Sequence, residues 1–226
     1  MIKLTTTHMK NLIKNGILAL VAVLIAPQAT EAQGTITYLS NLGQLSTGSL
    51  AVGSNSWLAA EFHTGNNASG YLLNSIQLGM TDASGNPRNF TAMIYTWVGF
   101  SGIFPGSSLG TLDGSLNPVS NGVYTYTDDS NITLSPNDFY FIVLTAGTAI
   151  ANGAYEWSLD NTVPPFSIGW TQDNAFYQSS NGLSWIGNIG AFEYAINATA
   201  VPEPSSSFFL LLGSGVFIYV RRAFSR

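Results

Sequence analysis

The sequence contains no cysteine, seven lysines and arginines together, and only 8% charged residues over its 226 positions. Without cysteine the chain has no disulfide, no thiol nucleophile and no thiolate ligand for a metal. Binding of a phosphate backbone requires clustered lysine and arginine. The scarcity of basic residues therefore predicts a protein with no nucleic-acid partner.

The few basic residues are concentrated at the two ends of the chain. Residues 33–200 contain ten acidic side chains and one basic side chain, Arg88, so this segment carries a net charge of −9. Such an acidic, lysine-free body is soluble and repels anionic surfaces. The length of this segment suits one domain with a sizeable core.

Residues 1–32 have the three parts of a secretory signal peptide. Lysines precede the apolar run GILALVAVLIA, from Gly16 to Ala26, and small residues follow as far as Ala32. The eleven apolar residues are fewer than the about 20 that a membrane span requires. This pattern favours a signal helix cleaved after Ala32 over an uncleaved anchor.

The C-terminal segment, residues 201–226, reads VPEPSSSFFLLLGSGVFIYVRRAFSR. Its prolines favour extended backbone at the start of the segment. The apolar stretch Phe208–Val220 is bracketed by aromatic residues, and arginines follow it. Aromatic residues are typical of bilayer interfaces, and arginines hold the cytoplasmic side. The pattern predicts a C-terminal membrane helix with residues 33–200 outside the cytoplasmic membrane.

This order of motif, apolar helix and basic tail resembles the PEP-CTERM sorting signal of bacterial envelope proteins. The motif residues are Val201, Pro202, Glu203 and Pro204, and the basic tail contains Arg221, Arg222 and Arg226. The resemblance implies an exosortase-type membrane protease that removes the tail during export to the cell surface or extracellular matrix. An ordinary tail anchor with a proline-rich linker is the alternative, and in that case the body stays attached to the membrane.

The body alternates between short apolar segments and turns. Candidate strands cover residues 57–62, 71–80, 91–98, 123–127, 139–145, 154–159, 166–170 and 191–196. Candidate turns rich in Gly, Asn, Asp or Pro lie at 82–87, 113–114, 121–122, 152–153, 164–165 and 181–182. Short strands without intervening helices predict an all-β, antiparallel, jelly-roll-like sandwich. We expect it to be flanked by the N-terminal signal helix and the C-terminal apolar helix.

Residues 55–160 also resemble, more faintly, the choice-of-anchor R domain of bacterial surface proteins. The features concerned are Pro105-Gly106-Ser107-Ser108-Leu109 and the strand from Leu134 to Tyr140. The resemblance implies no catalysis and no catalytic residues.

The sequence offers few candidates for chemistry. His63 is the one histidine beyond the signal, and we place it in a polar turn rather than in a Ser-His-Asp site. Asp128–Asn131 and Asp82–Asn86 could hold calcium through oxygen ligands, although neither matches an EF-hand loop. We interpret both as ordinary turns and expect no metal or cofactor.

The tryptophans are the remaining candidates for a binding surface. In a disulfide-free sandwich most of them belong to the core, and Trp170 and Trp185 are the best candidates for exposure because they lie in a Gly- and Asn-rich stretch. The prediction is a non-enzymatic exported protein with a structural or adhesive role in the surface matrix. The alternative is a carbohydrate-binding module or weak glycosidase that acts on matrix polysaccharide.

Overall fold

The computed structural model describes residues 34–99, 104–160 and 166–203. The signal segment with Ala32, the motif residue Pro204, the C-terminal apolar stretch, and Arg221, Arg222 and Arg226 lie outside the described residues. The described residues up to Val201 belong to one compact unit.

Among the described residues of this unit, the regular elements are β-strands and one 3₁₀ turn, Ile150–Asn152. The strands are β1 Ile36–Ser40, β2 Gly48–Val52, β3 Trp57–His63, β4 Tyr71–Gly85, β5 Thr91–Val98, β6 Phe104–Thr111, β7 Asp113–Gly114, β8 Gly122–Thr127, β9 Thr133–Leu134, β10 Phe139–Thr145, β11 Gly153–Asp160, β12 Phe166–Ser167, β13 Ala175–Ser179, β14 Ile186–Ile189, β15 Ala191–Phe192 and β16 Tyr194–Ala200.

The strands form two antiparallel sheets. The smaller sheet has the order β14-β13-β3-β10-β5-β6. The larger sheet has the main order β12-β1-β16-β4-β11-β15. Four further strands pair with it: β2 with β11, β8 and β9 with β4, and β7 with β8. The predicted all-β, antiparallel fold class is confirmed.

One continuous apolar core lies between the inner faces of the two sheets. Alternate residues of β3 and β10, such as Phe62 and Ile142, belong to the same buried cluster as residues of the larger sheet such as Ile76 and Trp157. The buried Tyr194 hydroxyl, on β16, donates a hydrogen bond of 2.7 Å to the backbone oxygen of Glu61, on β3. Apolar packing and this polar link therefore hold the sheets face to face as a sandwich.

The larger sheet divides at Glu193, between β15 and β16. Beyond this point β16 pairs with β4, whereas β15 pairs with β11. Asn41 spans the division with its side chain: Nδ2 donates to the Phe192 oxygen at 2.8 Å, and Oδ1 accepts from the Tyr194 N–H at 2.8 Å. Asn41 is fully buried, so its amide replaces backbone pairing that the break would leave unmade.

The aromatic and β-branched segments form strands as predicted. β5 and β10 have the predicted bounds, and β5 lies inside its sheet, between β10 and β6. Tyr124 and Tyr126 of β8 lie on one face, as their alternation predicts, and pack on the main core.

Three predictions of local structure are wrong. The predicted turn at 82–87 begins later, because β4 continues to Gly85 through its pairing with β11. Asp113–Gly114 is a short strand paired with β8 rather than a turn. Of residues 166–170, only 166–167 are in a strand. In the first two cases a neighbouring strand overrides local propensity. In the third, β12 ends at Ser167, and Trp170 beyond it packs in the core.

Candidate functional site

The face of the smaller sheet that points away from the core, here called the outer face, carries a second apolar cluster. Its buried members come from four strands and are Ala59, Met93, Phe141, Val143 and Tyr177. Partly buried aromatic residues surround them, namely Trp57, Tyr95, Phe104 and Trp185. The outer face is therefore an aromatic surface rather than the polar exterior that one face of an antiparallel sheet commonly has.

Two chain segments fold over this outer face. The ring of Phe104 lies 5.7 Å from that of Tyr177, although β6 and β13 are separated by three strands in the sheet. Gly182, in the turn after β13, has φ of +74°, and a Cβ there would lie 2.8 Å from the ring of Trp57. Glycine is thus required for the turn to pack against the outer face.

Glu61 lies on the outer face of β3, two positions after Ala59, and is 3% exposed. The Tyr177 hydroxyl donates a hydrogen bond of 3.2 Å to Glu61 Oε2. Burial raises the pKa of Glu61 to about 7; the hydrogen bond from Tyr177 opposes this shift, and the charge of Asp173 adds to it. Burial, with the neighbouring Glu61, also raises the pKa of Tyr177 to about 12. Glu61 can therefore exchange a proton near neutral pH but is shielded from solvent.

Trp97 lies at the edge of the outer face and is 41% exposed. Its indole Nε1 donates a hydrogen bond of 2.7 Å to Oδ1 of Asp138, the residue just before β10. The ring of Phe139 packs edge-on against the ring of Trp97, with centroids 6.2 Å apart. The hydrogen bond and the ring contact hold a large aromatic surface in one orientation toward solvent.

An open cleft adjoins Trp97. It has a volume of about 340 Å³, and its lining includes Trp97, Pro105, Gly106, Ser107 and Leu183. Pro105 to Ser107 belong to β6, and Leu183 belongs to the turn after β13. The two segments that fold over the outer face therefore form the walls of this cleft.

The structure places the two tryptophans chosen from the sequence in different environments. Trp170 is fully buried, so the expectation of its exposure is wrong. Its ring stacks 5.0 Å from Tyr38 and 5.8 Å from Phe62 inside the core. Trp185 is half-buried and packs on the edge of the outer-face cluster.

His63 is the last residue of β3, not part of a turn. Its ring packs 4.5 Å from that of Phe139, and its backbone pairs with Thr171. The imidazole thus lies on the same outer face as Glu61, two positions further along β3.

The two candidate calcium loops use their carboxylates within the protein. Asp128 Oδ1 accepts from the Ser130 N–H at 2.8 Å, and Oδ2 accepts from the Ile132 N–H. Asp82 Oδ1 accepts from the Asn121 N–H at 2.8 Å. Hydrogen bonds of this kind stabilise turns and strand ends.

The start of the sorting segment follows β16 directly. The Val201 N–H donates to the Gly70 oxygen at 3.0 Å, and the Val201 oxygen accepts from Asn67 Nδ2 at 2.9 Å. Pro202 and Glu203 are exposed. Among residues 34–99, 104–160 and 166–203, no helix has the length and hydropathy of a membrane span.

Residues 200–226 match the family model described as the PEP-CTERM protein-sorting motif. The chain carries this sorting signal. A PEP-CTERM signal marks an exported protein that is anchored in the membrane before processing, is processed by an exosortase, itself a membrane protein, and then reaches the cell surface. No curated protein and no solved structure is similar enough to the chain to count as a match.

The contact between Trp97 and Asp138 is the feature of this site that sequence reasoning missed. The two residues are 41 positions apart, and their contact depends on β5 lying beside β10. The alternation of β5 does place Met93, Tyr95 and Trp97 on one face, and this aromatic stripe was the available signal.

Proposed function

We propose that this chain is a non-catalytic surface protein whose sandwich has a structural or adhesive role and contacts extracellular polysaccharide. The sorting signal supports delivery to the cell surface. The observation that supports an adhesive role is the ring of Trp97, which is exposed to solvent and held in one orientation by Asp138. It offers an apolar contact surface on a domain whose net charge is negative. Exposed aromatic residues are typical of contact surfaces, because they combine a large apolar area with few rotatable bonds.

Fractionation of cells that export the protein tests this proposal. We expect the protein to remain with the polysaccharide fraction through washes in high salt, since contacts that do not depend on charge are insensitive to screening. Enzymatic digestion of the polysaccharide should then release it. Recovery of the protein as a freely soluble species in the culture medium would contradict the adhesive role.

A weak glycosidase is the second candidate, and Glu61 is the observation that favours it. A carboxyl group with a pKa of about 7 is suited to act as a general acid. Glu61 is buried and hydrogen-bonded to Tyr177, however, and a catalytic acid must reach the glycosidic oxygen. We therefore expect the wild-type protein to release no reducing ends from soluble polysaccharides. Release that Glu61→Gln abolishes would favour the glycosidase instead.

A further inference from the structure

We propose that the cleft beside Trp97 binds a sugar unit of a neutral polysaccharide. The Trp97 ring, which lines the cleft, packs against the apolar face of the sugar. The carboxylate of Asp138, which lies outside the cleft lining but is hydrogen-bonded to Trp97, accepts a hydrogen bond from a sugar hydroxyl. This inference rests on the proposed function, since it names the ligand class and the site through which the protein adheres.

The ring of Trp97 has the exposure and the orientation that such contact needs. The side chain is 41% exposed, while its polar Nε1 is bound to Asp138 and faces the sheet rather than competing for the ligand. A ring already held in place loses little conformational entropy on binding. The apolar faces of sugar rings pack on such flat aromatic surfaces, as other apolar groups do.

Asp138 is held firmly enough to serve as the polar partner. Its backbone N–H donates to Thr64 Oγ1 at 3.0 Å, and its backbone oxygen accepts from the Thr64 N–H at 3.0 Å. Its Oδ1 accepts from both Trp97 Nε1 and the Phe139 N–H. Its Oδ2 accepts no hydrogen bond from any described residue and is an acceptor of the kind that sugar hydroxyls bind.

The size and chemistry of the cleft suit one unit of a longer chain. Its volume of about 340 Å³ lies at the lower end of the roughly 300 to 1,000 Å³ of small-molecule sites. Pro105 and Leu183 supply apolar walls, and the exposed Ser107 supplies a hydroxyl. The cleft is open to solvent on one side, which leaves room for the rest of the polymer.

Charge selects a neutral rather than an anionic polymer. Residues 33–200 carry a net charge of −9. The lining of the cleft contains no Lys or Arg, and the carboxylate of Asp138 is hydrogen-bonded to Trp97 beside it. A uronic-acid or sulfated polymer would place its own negative charge against Asp138, which like-charge repulsion disfavours.

Titration of the exported protein, recovered from the cells that make it, tests this site. The neutral probes are dextran, galactomannan and hydroxyethylcellulose, the anionic probe is alginate, and the readout is calorimetry. We expect at least one neutral polymer to bind and alginate not to bind. Trp97→Ala should weaken binding at least about tenfold, the effect expected of a central aromatic contact. Trp97→Phe, which keeps a ring but loses the N–H, should weaken it less.

Three further variants control for position and fold. Asp138→Ala should weaken binding, whereas Asp82→Asn should leave it unchanged, because Asp82 accepts a backbone N–H far from this site on the larger sheet. Tyr124→Ala removes a partly buried aromatic ring from the larger sheet and should bind as the wild type does. Circular dichroism and the melting temperature confirm the fold of each variant.

The inference is overturned if none of the neutral probes binds, if alginate binds equally well, or if Trp97→Ala binds as tightly as the wild type. A protein that fails these titrations but remains in the polysaccharide fraction of its cells would still support an adhesive role through another surface.

Discussion

At the scale of single residues, the burial of Glu61 links the stability of the fold to pH. The folded protein binds a proton at Glu61 with a pKa of about 7, compared with an ordinary value of 4.5. Stability from the neutral carboxyl is therefore fully present below pH 4.5 and is lost as the pH rises through about 7. Between low and alkaline pH, this shift in pKa lowers the free energy of unfolding by on the order of 3 kcal/mol.

We accordingly expect the urea midpoint of the wild type to fall between pH 5 and pH 8.5. Glu61→Gln should reduce this fall in the urea midpoint. Burial also raises the pKa of Glu193, so the midpoint of the variant should still decrease slightly as the pH rises. Glu156→Gln is the matched control, since the half-buried Glu156 accepts a hydrogen bond from Ser49 in the larger sheet. Equal slopes for Glu61→Gln and the wild type would show that Glu61 is not the group responsible.

The two tryptophans of the glycine-rich stretch should differ sharply in their contribution to stability. Trp170→Ala removes a fully buried ring that stacks on Tyr38 and Phe62. We expect it to cost about 3 to 5 kcal/mol, as other buried aromatic deletions do. Trp185→Ala should cost about 1 kcal/mol or less, because the side chain is half exposed. Denaturant unfolding measures both, and comparable losses would contradict the burial that the structure assigns.

At the scale of elements, Asn41 should be essential to the division of the larger sheet. Asn41→Leu leaves the Tyr194 N–H and the Phe192 oxygen without the partners that the amide supplies. The Phe192 oxygen keeps a hydrogen bond of 3.2 Å from Gln172 Nε2, so one buried group, the Tyr194 N–H, is left unsatisfied. We therefore expect a loss of about 1 to 3 kcal/mol.

The same substitution at Asn188 is the control for this prediction. Asn188 lies on the edge strand β14, where its side chain donates to Gln178 at 3.3 Å. Asn188→Leu should change stability by about 0.5 kcal/mol or less. A small effect at both positions would mean that the break between β15 and β16 does not depend on Asn41.

The elements that the sequence predicts best are those whose own composition favours a strand. TAMIYTWV and FYFIVLT form β5 and β10 with the predicted bounds. β6 was not predicted, because FPGSSLGT is rich in Pro, Gly and Ser. It is a strand because β5 offers an edge with which it pairs, and the same dependence on a neighbour explains β7 and the extension of β4.

At the scale of the whole molecule, the sorting motif should decide where the protein is found. Replacing Pro202, Glu203 and Pro204 together by alanine is expected to block processing, because these residues belong to the signal that an exosortase processes. The unprocessed protein should keep its tail, migrate as a heavier species and fractionate with membranes. Immunoblots of surface, medium and membrane fractions measure this distribution.

Replacing Ser205, Ser206 and Ser207 by alanine is the control for the sorting prediction, since it changes the neighbouring residues and leaves the motif intact. We expect this variant to be processed as the wild type is. Normal processing of the motif variant would show that other parts of the segment suffice for sorting.

The resemblance of residues 55–160 to the choice-of-anchor R domain stays a prediction. The same holds for cleavage of the signal after Ala32.

The sequence by itself determined the fold class and the sorting signal. Both depend on the order of residues along the chain. Alternating apolar residues and turn residues predict strands, and a motif followed by an apolar stretch and a basic tail identifies a sorting signal. The tertiary structure alone decided that Trp170 is buried, that Glu61 is buried and hydrogen-bonded to Tyr177, and that Trp97 is bound to Asp138 beside a cleft. These contacts join residues distant in the chain, and they depend on strand order, which the pattern within each strand does not encode.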